Sequence, residues 1–347
     1  MRNLGDTIGR LAARQKPAPS GRNHLPELTG FGTNPGALNA RSFIPADLAS
    51  GAPLVVILHG CTQTAADYDH GAGWSTLAAE QGFALLFPEQ ARANNANLCF
   101  NWFAAEDIRR GHGEVESIRQ MIDTMAIRHG LDRGRIFITG LSAGGAMALA
   151  MLATHPELFA AGAIIAGVPY ATAHSVPEAF DRMRGQGLPK PVKLESLLRT
   201  AAPIPACWPR LSVWQGTADT TVVPANADAI IAGWTALHGN LTARTESLHG
   251  QPHRLWRNTA GHDVVESITI SGMAHGTPIA AHGPEACGTP GPFMLDVGIS
   301  STRRIAAFWG IAPAVAAAAA TTRPAPPTES GIEAIINTAL RQAGLMR

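Results

Sequence analysis

The sequence predicts an α/β fold built on a mostly parallel sheet. Continuous apolar runs recur at intervals, helical patterns fall between them, and turn residues bound each run. The runs are Pro53–His59, Phe83–Pro88, Arg135–Gly140, Ala161–Val168, Arg210–Gln215 and Val264–Ser271. The first four have the unbroken apolar character of parallel strands buried on both faces. Between them, Val115, Ile118, Ile122 and Met125 recur at helical spacing over Glu114–His129. A small-residue helix is predicted over Ser142–His155, ending before Pro156. Another covers Ala225–His238, after Pro224, a residue favoured at helix starts.

The rest of the 347 residues is organised around this block. Residues 1–39 read as an N-terminal arm, partly helical or irregular, with one short basic helix near Leu4–Arg14. Seven prolines punctuate 169–209, predicting an irregular excursion or lid. The Ala/Pro-rich stretch 312–329 reads as a linker. The segment 330–347 opens with a capping box, Ser330-Gly-Ile-Glu333, and continues as an amphipathic helix.

Composition narrows the function. Lys+Arg 27 against Asp+Glu 26 leaves a net charge of +1, so no broad electrostatic footprint for nucleic acid exists. No run of ~20 apolar residues offers a membrane span, and the N-terminus lacks the apolar stretch of a signal peptide. The expectation is a cytoplasmic protein, with secretion left open. The four cysteines, Cys61, Cys99, Cys207 and Cys287, have no metal-ligand spacing. No metal and no cofactor are expected.

The strongest chemical signal is Gly140-Leu-Ser-Ala-Gly144, between a predicted strand and a predicted helix. In that context a G-x-S-x-G turn projects the serine above the sheet edge and aims helix amides at developing negative charge. Ser142 is therefore the candidate nucleophile. A serine needs a base held by an acid, in the chain order Ser, Asp/Glu, His. Asp219, just past the strand at 210–215, is the preferred acid, with Asp228 as competitor. His275, in Ser271-Gly-Met-Ala-His-Gly276, is the preferred base, with His262 and His282 as alternatives. The backbone N–H groups of Ala143 and Cys61 are the candidate oxyanion donors, and His59 is read as an anchor of the loop carrying Cys61.

Several motifs occur in order: HGCTQTAADYDHGAGWSTLAAEQGFALLFPEQ (59–90), NLCFNWF (97–103), GLSAGGAMA (140–148), GTADTTVVPANAD (216–228) and GMAHGTP (272–278). Together they resemble the polyhydroxybutyrate depolymerase-type esterases of the α/β-hydrolase superfamily, over about residues 40–311. The resemblance implies the α/β-hydrolase fold, with helices on both faces of the sheet, and a triad of Ser142, Asp219 and His275. It also supports Cys61 and Ala143 as oxyanion donors. It implies a serine carboxylester hydrolase acting on polyhydroxyalkanoate (3-hydroxybutyrate) polymer or oligomer esters. A feruloyl, acetylxylan or general short-chain esterase is the alternative, and a non-catalytic granule-associated binding protein is the rival of another class. The expected partner is an ester substrate, as a polymer surface or granule in one form, with the oligomeric state open. Tyr68, Asn101 and Trp102 are candidates to line the ester groove. Positions in the flanking motifs allow a Cys61–Cys99 disulfide, with Cys207–Cys287 as the other pair; four free buried thiols are the alternative.

Overall fold

The structure is a computed structural model that describes residues 25–203 and 207–314. The short N-terminal helix and the helix expected over 330–347 lie outside the described residues, as does most of the linker. In chain order the elements begin with β1 (Asn39–Phe43), β2 (Leu54–Leu58), α1 (Ala65–Ala72), α2 (Trp74–Gln81), β3 (Ala84–Glu89) and α3 (Gly113–His129). They continue with β4 (Ile136–Leu141), α4 (Ala143–Thr154), β5 (Ala161–Ile165), α5 (Val176–Met183), α6 (Pro191–Ala201), β6 (Arg210–Gly216) and α7 (Ala225–Leu237). Then come β7 (Leu241–Leu248), β8 (Gln251–Asn258), β9 (Asp263–Ile270), β10 (Thr277–Ile279), β11 (Met294–Asp296) and α8 (Ser301–Trp309).

The main sheet has nine strands in the order β1-β3-β2-β4-β5-β6-β9-β8-β7. From β3 to β9 the neighbours run parallel, and these are the six strands expected from apolar runs. The outer strands β1, β7 and β8 are antiparallel additions. They carry no continuous apolar run, because an antiparallel edge is solvated on part of its surface; β7, LTARTESL, has no buried residue.

Alternation along β2 divides the core. Leu54, Val56 and Leu58 pack with α3, α4 and α7 on one face, through residues such as Ile118, Met147 and Trp234. Val55 and Ile57 pack with α1, α2 and α8 on the other, through Tyr68, Leu77 and Trp309. Helices therefore cover both faces, and every residue of α4 is buried.

Over 169–203 the chain is more ordered than its prolines suggest. Pro177 and Pro191 occupy the first turns of α5 and α6, where a missing N–H and a fixed φ cost nothing. Nor does α5 hang free as a lid. The Met183 carbonyl accepts from the Val223 N–H at 2.9 Å and from Asn226 Nδ2 at 3.1 Å, and Arg182 Nε donates to the Thr172 carbonyl at 2.8 Å.

The β4–α4 turn requires glycine. A Cβ at Gly144 would overlap the backbone carbonyls of Leu58 and His59, and one at Gly140 would overlap the Gly144 carbonyl. Rigid backbone on both sides leaves nothing to yield. Gly144→Ala is expected to destabilise the fold by about 3 kcal/mol or more, read from the urea unfolding midpoint. A midpoint equal to wild type would show that the strand and helix are not in this contact.

Candidate active site

Ser142 sits at the end of β4 and caps α4 with φ 57° and ψ −116°. A non-glycine residue at positive φ is strained, and such strain persists only where surrounding structure enforces it. Its own N–H donates to the Ile165 carbonyl at 2.9 Å. The next residue, Ala143, is the first of α4, so its N–H has no acceptor within the helix.

The loop after β6 brings up Asp219 and the loop after β9 brings up His275. Both lie at the same sheet edge as Ser142, since β4, β6 and β9 run in one direction. His275 Nδ1 is 2.7 Å from Asp219 Oδ2. That carboxylate is buried and fully engaged. Oδ1 accepts from the N–H groups of Thr221 and Val222, each at 2.9 Å, and Oδ2 also accepts from Gln215 Nε2 at 3.1 Å. These donors fix the carboxylate plane, which in turn fixes the imidazole. The Phe293 ring packs edge-on against His275, with centroids 6.1 Å apart. The competing residues Asp228, His262 and His282 are exposed, whereas Asp219 is buried against His275.

Ser142 and His275 open onto a cleft. Its walls are largely apolar: Trp102, Phe103, Val168, Ala179, Met183 and Val222 contribute. None of the described residues lining it is Asp, Glu, Lys or Arg. Two walls, Ala179 and Met183, come from α5, which went unseen in the sequence because a short proline-flanked segment resembles a loop.

Of the three residues expected in the groove, Trp102 lines the cleft and two do not. Tyr68 is fully buried on the sheet-facing side of α1, and its hydroxyl lies 3.2 Å from Thr277 Oγ1. Burial raises its phenol well above the usual range. Asn101 organises the loop instead of meeting the cleft: its Oδ1 accepts from Asn95 Nδ2 at 2.9 Å, and its N–H donates to Glu114 Oε2 at 2.9 Å. Glu114 also accepts from Gln90 Nε2 at 2.6 Å and from Asn94 Nδ2 at 3.2 Å. Burial, with the Asp107 carboxylate nearby, pushes Glu114 up to about 8 against these donors.

A disulfide joins Cys61 to Cys99, tying the loop after β2 to the loop carrying Trp102. The second expected pair does not form. Cys207 is exposed, whereas the Cys287 thiol is buried and donates to the Gly73 carbonyl at 3.1 Å. Burial raises that thiol to about 11. The bridge spans a sequence separation of 38, which corresponds to about 3–4 kcal/mol by loop closure. The double variant Cys61→Ser/Cys99→Ser should lose about that much unfolding free energy in urea titrations. A wild-type midpoint would mean that the bridge is not formed in solution.

The profile of the family described as esterase PHB depolymerase matches residues 40–256. The chain is 42% identical over 292 residues to poly(3-hydroxyalkanoate) depolymerase C of Paucimonas lemoignei, covering 83% of this chain and 70% of that protein. It is 29% identical over 269 residues to a probable acetylxylan esterase A of Aspergillus flavus, covering 75% of this chain and 86% of that one. Among solved structures, acetyl xylan esterase from Aspergillus awamori superposes with a TM-score of 0.70 at 24% identity, covering 84% of this chain and all of that one. That likeness extends the fold assignment beyond strand order. With the strained serine turn, the cleft and these relatives in hand, the chain belongs to the esterase PHB depolymerase family and is a carboxylic ester hydrolase of the α/β-hydrolase fold.

Proposed function

We propose that Ser142, His275 and Asp219 act as a catalytic triad on polyhydroxyalkanoate esters, of which 3-hydroxybutyrate polymer or oligomers are the best fit. The observation that carries the reading is the Asp219–His275 contact of 2.7 Å beside the strained Ser142 at the mouth of one cleft.

In this reading Ser142 Oγ attacks the ester carbonyl carbon and its proton passes to His275 Nε2. Asp219 holds Nδ1–H and stabilises the imidazolium. The carbonyl oxygen becomes an oxyanion held by the N–H groups of Ala143 and Cys61. Collapse expels the alcohol, which takes the proton from Nε2. Water, deprotonated by the same nitrogen, then attacks the acyl-enzyme and releases the acid.

Two observations support the substrate class. The cleft walls are apolar and carry no Asp, Glu, Lys or Arg, which suits an uncharged ester with a short branched acyl group. The relative at 42% identity is named a poly(3-hydroxyalkanoate) depolymerase, against 29% for the acetylxylan esterase. The Cys61–Cys99 bridge favours an oxidising compartment as the site of action.

A substrate panel tests the proposal: polyhydroxybutyrate film, 3-hydroxybutyrate dimer and trimer, p-nitrophenyl esters, acetylated xylan and methyl ferulate, with Ser142→Ala as blank. The highest kcat/KM is expected on 3-hydroxybutyrate esters. Preference for acetylated xylan or methyl ferulate would transfer the assignment to those esterases. No turnover of any ester would favour a binding protein.

A further inference from the structure

We infer that the outer edge of β7 is a self-complementary surface, which pairs with the same edge of a second copy of this chain, antiparallel and centred on Thr245.

β7 ends the nine-stranded sheet, and among the described residues its outer edge has no backbone partner. The strand is eight residues long, against a usual ~5–6, and contains no proline or glycine. It pairs with β8 in an unbroken register. A long, regular edge of this kind is a template for another strand. The opposite end of the sheet is closed by the chain itself. There the Leu28 N–H donates to the Ala40 carbonyl at 2.9 Å, and the Ser42 N–H donates to the Pro26 carbonyl at 3.0 Å, along the outside of β1.

The hairpin dictates which groups of β7 point outward. Leu248 and Gln251 flank a two-residue turn, His249-Gly250, with φ 49° and 78°. The pair closing such a turn exchanges hydrogen bonds, and bonded and non-bonded pairs then alternate along the ladder. Pro252, which has no N–H, stands opposite Ser247, as a non-bonded place requires. Ser247, Thr245 and Ala243 therefore turn their N–H and C=O groups away from β8.

Charge selects the register. In a symmetric antiparallel pair the two-fold axis passes between one residue and its own copy. Centring on Arg244 or Glu246 sets like charges face to face. Centring on Ala243 or Ser247 sets both charges opposite uncharged residues. Centring on Thr245 sets Arg244 opposite the partner's Glu246, and Glu246 opposite the partner's Arg244. The same register sets Thr245 opposite the partner's Thr245 and Ala243 opposite the partner's Ser247, so outward-facing amides meet outward-facing carbonyls. Within one chain Arg244 Nε donates to Glu246 Oε1 at 2.7 Å. Glu246 Oε2 has no donor among the described residues, which leaves that oxygen open to the partner's Arg244.

The alternative is that these charges only keep the edge solvated, as charges on edge strands can. A run of one sign would repel a second copy. A positive and a negative charge two residues apart attract it in one register.

Sedimentation equilibrium on the full chain separates the readings. Wild type should show a reversible monomer–dimer equilibrium over about 1–200 µM. Glu246→Arg sets arginine opposite arginine across the two-fold and should weaken association by about 10-fold or more. Thr245→Pro removes the central outward N–H while sparing the bonds to β8, and should weaken association by about 10-fold or more. Cross-linking locates the axis without weakening the pair. In a Cys207→Ser background, oxidised glutathione should join two copies of Thr245→Cys, whose Cα atoms face each other at about 5.5 Å. Thr242→Cys, about 20 Å from its own copy in this register, should stay unlinked. Ser142→Ala should dimerise as wild type does, so the catalytic proposal and this one fail separately. A chain monomeric throughout that range would overturn the inference. So would a dimer that neither Glu246→Arg nor Thr245→Pro weakens, or equal cross-linking at 242 and 245.

Discussion

Ser142→Ala is expected to lower kcat on any ester substrate by about 10⁴–10⁶-fold, with the fold intact. The substitution removes one oxygen and leaves everything that built the turn. Gly140 and Gly144 still admit the close approach of β4 and α4, and alanine meets the same backbone angles that serine does. The melting temperature should therefore stay near wild type while the covalent route disappears. His275 and the oxyanion donors remain, so a residue of slow hydrolysis by directly activated water is expected. A variant that keeps most of its turnover would require another nucleophile.

Asp219→Asn is expected to lower kcat by about 10⁴-fold, the size of this change in serine proteases. The local hydrogen bonds dictate the direction. The Thr221 and Val222 N–H groups require an acceptor on one side of the side chain, so the asparagine oxygen must face them. Its NH₂ group then faces His275 Nδ1 and Gln215 Nε2. A donor opposite Nδ1 forces the imidazole hydrogen onto Nε2, and that nitrogen cannot then accept the serine proton. The NH₂ also meets the Gln215 NH₂ donor to donor, so a modest loss of stability accompanies the loss of rate. KM should change little, because Asp219 does not line the cleft. Full activity in this variant would show that His275 does not depend on Asp219 for its tautomer.

What could be read from the sequence follows the physics of each segment. The parallel strands β2 to β6 and β9 were legible because burial on both faces demands unbroken apolar runs. The strand pair β7–β8 was not, since its residues are mostly solvated and its composition is that of a loop. The helices α5 and α6 were hidden by prolines that begin them. At the site, Ser142 was legible because its strained turn imposes glycine on both sides, a local requirement. Asp219 and His275 were reachable through chain order and their places after strands.

Contacts made across the fold were harder to read. Tyr68 and Asn101 lie in motifs that flank the cleft, yet neither lines it. For Tyr68 the signal was present: Ala65, Tyr68 and Ala72 fall on one helical face, and that face is buried on the sheet. For Asn101 there was none, because its partners Asn95 and Glu114 are brought to it only by folding. The Cys207–Cys287 pairing followed from elimination, which carries no information about distance.

Stoichiometric labelling tests the central claim most directly. An alkyl p-nitrophenyl phosphonate should lose one p-nitrophenolate per enzyme as Ser142 Oγ bonds to phosphorus, and the serine proton should pass to His275. Peptide mapping by mass spectrometry should place the phosphonyl group on Ser142, with activity falling in proportion to label. Label on another residue, or full labelling of Ser142 with ester hydrolysis preserved, would contradict the account.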